Sequence, residues 1–150
     1  MSICDKVAVM NEGKIHQIDS PINLLKNPKT IFVSSFILGN NIINLKKTGN
    51  SFMSCLGEIN SSGLLKNTNI KSVSISPKFI SIKKSQSGNA IVISKEFLGE
   101  FLIYKVSINE NILRVRTNIN NLLNNGDKCC LSIDRNSYYF LYPGAQKVYF

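Results

Sequence analysis

The stretch Lys6–Gly39, KVAVMNEGKIHQIDSPINLLKNPKTIFVSSFILG, carries the clearest local signals in this 150-residue chain. Short apolar residues alternate with others before Asn11-Glu12-Gly13, and an alternating run with Ile15 and Ile18 follows it. Two such runs separated by a turn sequence ending in glycine are typical of a tight β-hairpin. The stretch is therefore predicted to begin with two short antiparallel strands.

Two short helices are predicted after the hairpin. Ser20 can accept a hydrogen bond from a free amide of the first helical turn, and Pro21 suits the position that follows it. This helix must end early, because Pro28 disfavours the helical conformation at the residue before it. A second helix is predicted to be capped by Thr30 and to stop at Gly39. Its apolar face is predicted to consist of Phe32, Val33, Phe36 and Ile37.

The remaining two thirds of the chain predict short strands separated by turn residues. The predicted strands are Ile42–Leu45, a hairpin within Ser51–Asn69, Lys71–Ser76, a continuation through Ile80 and Ile82 that Pro77 interrupts, Ala90–Leu98, Glu100–Ile108, Ile112–Thr117, Cys129–Ile133 and Tyr138–Tyr142. Short strands at this spacing favour a small closed antiparallel β-barrel, which has no exposed sheet edges.

Alternation predicts which side chains of these strands face the core. Leu102, Tyr104, Val106 and Ile108 are expected inside, as are Leu113, Val115, Cys129, Leu131 and Ile133. Arg114 and Arg116 are expected to point to solvent. Leu122 and Leu123 are expected to pin the polar connection Asn118–Gly126 to the end of the barrel.

Composition sets limits on the class of protein. With 43% apolar residues and a net charge of +9, the chain is expected to form one or two soluble domains. The excess of positive charge is scattered, which favours compositional bias over a binding patch. Neither a membrane span nor a signal peptide is indicated. Four cysteines without a C-x-x-C pair, together with one histidine, predict neither a zinc site nor a disulfide framework.

The ordered series D-K-V-A-V-M-N-E-G-K-I, Q-I, S-P, N-P, F-V-S-S-F-I and N-N-I-I, from Asp5 to Ile43, resembles the end of the nucleotide-binding domain in ATP-binding subunits of ABC importers. The most similar branch serves ferric iron, polyamines and sugars. Ile75–Ile82, Glu96–Gly99 and Asn124–Lys128 resemble markers of the regulatory TOBE domain of that branch. Lys6, Asn23 and Ser76-Pro77-Lys78 depart from the family's pattern.

The resemblance implies a mainly β chain of two parts. Residues 1–39 are expected to be the C-terminal remnant of the nucleotide-binding domain, and residues 40–150 an OB-like regulatory domain. The implied partners are a second ATP-binding subunit, as a dimer, and the membrane subunits of the transporter. The implied location is cytoplasmic, at the inner face of the plasma membrane. The family uses ATP and Mg²⁺, and this chain is expected to have been truncated or split from the catalytic motifs.

No catalytic, cofactor-binding or metal-binding residue is predicted on this chain. The only Gly-Lys pair, Gly13-Lys14, lacks the earlier glycine and the following Ser or Thr of a P-loop. No L-S-G-G-Q-like run occurs, and Asp134-Arg135 lacks the paired acids that hold magnesium. His16 is predicted to be a surface histidine on a strand. Structural roles near turns and strand ends are predicted for all six acids considered: Asp5, Asp19, Glu96, Glu100, Asp127 and Asp134.

Two other functions remain open from the sequence. The first is a basic OB-like module that binds single-stranded nucleic acid, beside Arg114 and Arg116. Its stacking platforms would be Tyr104, Tyr138, Tyr139 and Phe140, although core positions suit these aromatics better. The second is oxyanion binding by the barrel, as in molybdate-binding relatives, for which no converging set of amides, Ser or Lys is evident.

Overall fold

The computed structural model describes residues 4–49, 51–59 and 69–149. The chain is mainly β, with antiparallel sheets and two short helices at the start, as predicted. We refer to residues 4–39 as the N-terminal unit and to the described residues from 40 onward as the sheet unit. The predicted Asn60–Gly63 turn and the Leu64-Leu65 pair lie outside the described residues.

The N-terminal unit opens with the predicted hairpin. Strands β1 (Val7–Asn11) and β2 (Lys14–Asp19) pair in antiparallel fashion. Glu12 and Gly13 form the turn with φ of 49° and 75°. A positive φ at both central residues gives the turn a twist that matches the strands, and glycine adopts it without steric cost.

Both helices of the N-terminal unit start and end as predicted. Helix α1 spans Pro21–Lys26, and the Ser20 hydroxyl accepts the N–H three residues on at 3.3 Å. Helix α2 spans Ile31–Leu38, and Thr30 caps it in the same way at 3.2 Å. Gly39 ends α2 in the left-handed conformation, with φ of 65°.

The sheet unit contains twelve strands among its described residues. They are β3 (Asn41–Asn44), β4 (Lys46–Thr48), β5 (Ser51–Ser54), β6 (Gly57–Ile59), β7 (Ser72–Ile75), β8 (Ile80–Lys84), β9 (Ala90–Phe97), β10 (Phe101–Ile108), β11 (Asn111–Asn118), β12 (Lys128–Ile133), β13 (Tyr138–Tyr142) and β14 (Gln146–Tyr149). The last of these strands was not predicted.

The prediction of a closed barrel is wrong for the part of the chain that the structure describes. Its strands form an open five-stranded sheet in the order β11-β10-β9-β12-β8 and a four-stranded sheet in the order β14-β13-β7-β3. Strands β4, β5 and β6 form a small third sheet. The predicted break at Pro77 is confirmed as a 3-10 turn, Pro77–Phe79, and it carries the chain from one sheet to another.

One large hydrophobic core lies within the sheet unit. The predicted inward face of β10 is confirmed, because Leu102, Tyr104, Val106 and Ile108 are all buried. Leu113 and Val115 are buried from β11 as well. Cys129 is buried on β12, and Leu131 and Ile133 pack against the core. Of the two leucines expected to pin the polar connection, Leu123 is buried, but Leu122 is 70% exposed, so its assignment is corrected.

The N-terminal unit has a separate and much smaller core. Its buried apolar residues are Val9, Leu24 and Val33, one each from β1, α1 and α2. The predicted apolar face of α2 is only partly right. Val33 is fully buried, Phe32 and Ile37 are half-buried, and Phe36 is 68% exposed. The helix instead turns a polar residue, Ser34, into the protein.

Candidate functional site: the junction between the two units

Buried polar side chains join α2 to the four-stranded sheet. The hydroxyls of Ser34 and Ser74 share a hydrogen bond, and the Asn40 side-chain amide donates to both, at 3.2 and 3.1 Å. All three residues are buried. Because a buried polar group without a partner costs free energy, this network favours one orientation of α2 on the sheet.

The side chain of Asn41 binds the edge of the five-stranded sheet. Its Nδ2 donates to the Arg114 carbonyl at 2.8 Å, and its Oδ1 accepts the Arg114 N–H at 2.7 Å. Strand β11 is an edge strand, so this amide takes the place of a neighbouring strand's backbone. Asn41 therefore fastens the four-stranded sheet to the five-stranded one.

Tyr142 makes the third link across the junction. Its hydroxyl donates to the carbonyl of Pro28, in the loop between α1 and α2, at 2.7 Å. Burial raises the pKa of Tyr142 to about 12, and the nearby Ser34 hydroxyl opposes that rise weakly. The phenol therefore stays protonated and keeps donating throughout the physiological pH range.

An open, mostly apolar cleft of about 750 Å³ lies beside these links, between α2 and the end of β13. His16, predicted as a surface residue of a strand, is half-buried at its rim. Its ring lies 4.7 Å from that of Phe32, and its Nδ1 lies 3.3 Å from the Thr30 hydroxyl. A histidine that packs on a ring and a capping threonine serves to hold β2 against α2.

Three of the six acids considered, Asp19, Asp127 and Asp134, accept hydrogen bonds near turns or strand ends, as predicted. Asp127 accepts the Asn124 N–H at 2.8 Å and pairs with Lys84 at 2.8 Å, and these contacts, the amide first, hold its pKa below the usual value. Asp19 accepts from the Asn23 side chain and the following backbone N–H, and its pKa is lowered in the same way. Asp134 accepts the N–H two residues on at 3.0 Å.

Three of the four aromatic side chains predicted as a stacking platform for nucleic acid are buried. Tyr104, Tyr139 and Phe140 are buried, and Tyr138 is half-buried. The Tyr104 hydroxyl accepts the Leu123 N–H at 2.9 Å, which places it in the core. The prediction that Arg114 and Arg116 face solvent is confirmed. Of the four predicted rings, the half-buried Tyr138 lines a cavity with Arg116, whereas the other three belong to the interior.

The four cysteines are free thiols. Burial raises the pKa of Cys55 and of Cys129, which disfavours the reactive thiolate. Within the described residues, no group of three or more His, Cys, Asp or Glu side chains could hold a metal ion. In the same part of the chain, neither helix has the length and apolar character needed to cross a membrane.

Comparison with known proteins tests the family resemblance. The spermidine/putrescine import ATP-binding protein PotA of Desulfitobacterium hafniense is 51% identical over 43 residues, which are 29% of this chain and 12% of that protein. The resemblance to ATP-binding subunits of ABC importers is confirmed. PotA of Bacillus anthracis is 49% identical over 43 residues, or 13% of its length. The sn-glycerol-3-phosphate import ATP-binding protein UgpC of Roseobacter denitrificans is 51% identical over 37 residues, or 25% of this chain and 10% of that protein.

The similarity to importer subunits is local. The matched stretch spans only about an eighth of the PotA proteins, and no protein-family model matches the chain. The similarity to these relatives therefore concerns only a short segment of the chain.

Proposed function

We propose that this chain is the C-terminal portion of an ABC importer ATP-binding subunit. Residues 1–39 would close the nucleotide-binding domain, and residues 40–150 would form a regulatory domain of the OB-like TOBE type. The observation that carries the proposal is the identity of about one half to importer ATP-binding subunits over 43 residues. The two separate hydrophobic cores support the division into two domains.

The surface of the N-terminal unit supports the first assignment. Only three apolar side chains are buried in its core, whereas seven large ones are exposed. The exposed residues are Met10, Ile15, Ile18, Ile22, Leu25, Ile31 and Phe36. So much apolar surface on so small a unit indicates a missing partner surface, which the rest of a nucleotide-binding domain would supply.

The proposed role of the sheet unit is regulation and dimer contact, without catalysis. Its partners would be a second ATP-binding subunit and the membrane subunits of the transporter, at the cytoplasmic face of the membrane. The names of the relatives support an importer of polyamines or of glycerol phosphate, and sugar or ferric iron remains within the proposal.

The chain itself is proposed not to bind or hydrolyse ATP, because its sequence lacks the glycine-rich loop and the lysine that hold phosphate. Calorimetry of the 150-residue chain with Mg-ATP is expected to show no saturable heat. Micromolar binding would contradict this part of the proposal.

The DNA directly upstream tests the main proposal. A P-loop and a signature motif are expected there, in frame, frameshifted or in an adjacent reading frame. If the region encodes neither, a matching nucleotide-binding partner must be sought by affinity capture with the chain as bait. Absence of both the motifs and such a partner would overturn the assignment.

A further inference from the structure

A basic groove runs along the junction, away from the apolar cleft. It consists of two adjoining cavities of about 240 and 300 Å³ between the C-terminal end of α2 and strand β11. Leu38, Ser76, Lys78 and Arg116 line both cavities. We call this feature the junction groove.

Positive side chains converge on the junction groove from two elements. Arg114 and Arg116 lie on the same face of β11, and at the rise of a β-strand their Cα atoms are about 7 Å apart. Lys78 comes from the 3-10 turn that precedes β8. Lys105 lines neither cavity, but it stands directly opposite Arg114 in the ladder between β10 and β11, and like charges in such positions repel one another.

These cations have no acidic partner among the described residues. No Asp or Glu lines either cavity of the junction groove. The one ion pair in the described part of the chain joins Lys84 to Asp127, outside this groove. An anion in the junction groove would therefore relieve repulsion without displacing an existing salt bridge.

The Arg116 side chain packs against an aromatic ring, and the Arg114 backbone is fixed by hydrogen bonds, before any ligand arrives. The Arg116 guanidinium carbon lies 3.7 Å from the centre of the Phe101 ring. The backbone of Arg114 is fixed by Asn41, and a Cβ built on Gly39 would lie 3.7 Å from Arg114 Nη1. The ring contact of Arg116 and the fixed backbone of Arg114 reduce the conformational entropy that is lost on binding.

We propose that the junction groove binds the phosphoryl group of a small molecule, with Arg114 and Arg116 as its guanidinium ligands and Lys78 as a third cation. Guanidinium groups match the paired oxygens of a phosphoryl group in charge and geometry. Cavities of 240 and 300 Å³ suit a small molecule better than a folded partner. Because Arg114 and Lys78 belong to the sheet unit and Leu38 to α2, such a ligand would bridge both units.

Calorimetry of the full 150-residue chain at fixed ionic strength tests the site, with inorganic phosphate and phenyl phosphate as separate probes. Saturable binding of at least one is expected. Arg114→Gln and Arg116→Gln should each weaken it about tenfold or more, because each removes a charged hydrogen-bond donor. Lys128→Gln carries the same loss of charge at an exposed residue outside both cavities, and it should change the affinity by less than about twofold.

Thermal unfolding separates loss of binding from loss of folding. The bound probe should raise the melting temperature of the wild type but not of Arg116→Gln. Without the probe, Arg116→Gln should melt close to the wild-type temperature, since the lost contact with Phe101 and the removal of a like charge act in opposite directions.

The two probes also separate the sources of the phosphoryl group. Tighter binding of phenyl phosphate indicates a phosphate monoester whose organic part contacts the apolar lining, and tighter or equal binding of phosphate indicates the free ion. The proposal is overturned if neither probe binds at millimolar concentration, or if Lys128→Gln weakens binding as much as Arg116→Gln. Binding of an acidic peptide but of neither probe would also overturn it. None of these results depends on whether the chain derives from an importer subunit.

Discussion

Substitution of Asn41 by alanine is expected to destabilise the whole chain, although the residue lies outside both hydrophobic cores. Its side chain is 7% exposed and makes two hydrogen bonds to the backbone of one edge residue, at 2.7 and 2.8 Å. Alanine cannot replace either bond. The N–H and the carbonyl of Arg114 would then have to be satisfied by water at the edge of the five-stranded sheet.

The expected cost follows from those two bonds. Each hydrogen bond contributes about 1 kcal/mol net, and a backbone group left without a hydrogen-bond partner adds to the loss. Asn41→Ala should therefore lower the free energy of unfolding by about 2–3 kcal/mol. In a chain of this size, that loss lowers the melting temperature by about 4–12 °C. Asn41→Asp keeps the acceptor but places a buried carboxylate oxygen against the Arg114 carbonyl, so it should be no more stable than Asn41→Ala.

Urea unfolding followed by far-ultraviolet circular dichroism measures the effect, since the chain has no tryptophan. The matched control is Asn44→Ala, at an exposed asparagine of the same strand, which should cost less than about 0.5 kcal/mol. Equal urea midpoints for Asn41→Ala and Asn44→Ala would show that the two hydrogen bonds of Asn41 do not stabilise the chain.

Three further predictions concern single side chains. Tyr142→Phe should cost about 1–2 kcal/mol at neutral pH by leaving the Pro28 carbonyl unpaired, and an absorbance titration should lose a tyrosine that ionises near pH 12. Because folding raises the pKa of Tyr142, its stabilisation should be complete below pH 10 and lost as the pH rises towards 12. Asp127→Asn should be less stable than the wild type at pH 7, and because folding lowers this pKa, the difference should disappear as the pH falls below 3.8. Finally, the chain should self-associate through apolar surface, and sedimentation should show that Phe36→Ser reduces association while Leu122→Ser, equally exposed in the sheet unit, does not.

Each of these has an outcome that contradicts it. An unchanged alkaline titration in Tyr142→Phe would mean that Tyr142 is not a tyrosine that ionises near pH 12. A constant stability difference between pH 7 and pH 2 would remove the electrostatic role of Asp127. If the associated species dissociate in high salt, the association is driven by charge. Association through apolar surface should instead persist or strengthen in high salt.

The turn and the helix starts of the N-terminal unit can be predicted from a few neighbouring residues. The hairpin turn needs a positive φ at Glu12 and Gly13, and the helix starts at Ser20 and Thr30 need one side-chain oxygen close to a free amide. These requirements are met within four residues of chain, so they can be predicted without knowing what packs around them. The similarity to importer subunits is likewise a property of one short stretch of sequence, 43 residues long.

The faces of the strands were also predictable, but their partners were not. Alternation correctly placed Tyr104 inside and Arg116 outside, because a strand's side chains point to opposite sides in turn. Alternation does not predict that β13 pairs with β7 and β14, nor that the five-stranded sheet stays open. That choice depends on contacts between residues far apart in the chain.

The sequence by itself determined the hairpin, both helix caps and the buried face of β10, since each depends on neighbouring residues alone. Only the tertiary structure decided that Ser34 would be buried while Phe36 stays exposed. It alone also decided that Asn41 would bind Arg114, and that three cationic side chains would line one groove. The physical reason is that helical spacing fixes which side chains share a face, whereas burial depends on what the face meets. In this chain, α2 meets a sheet that presents Ser74, and the hydrogen bond between the two hydroxyls selects the orientation of the helix.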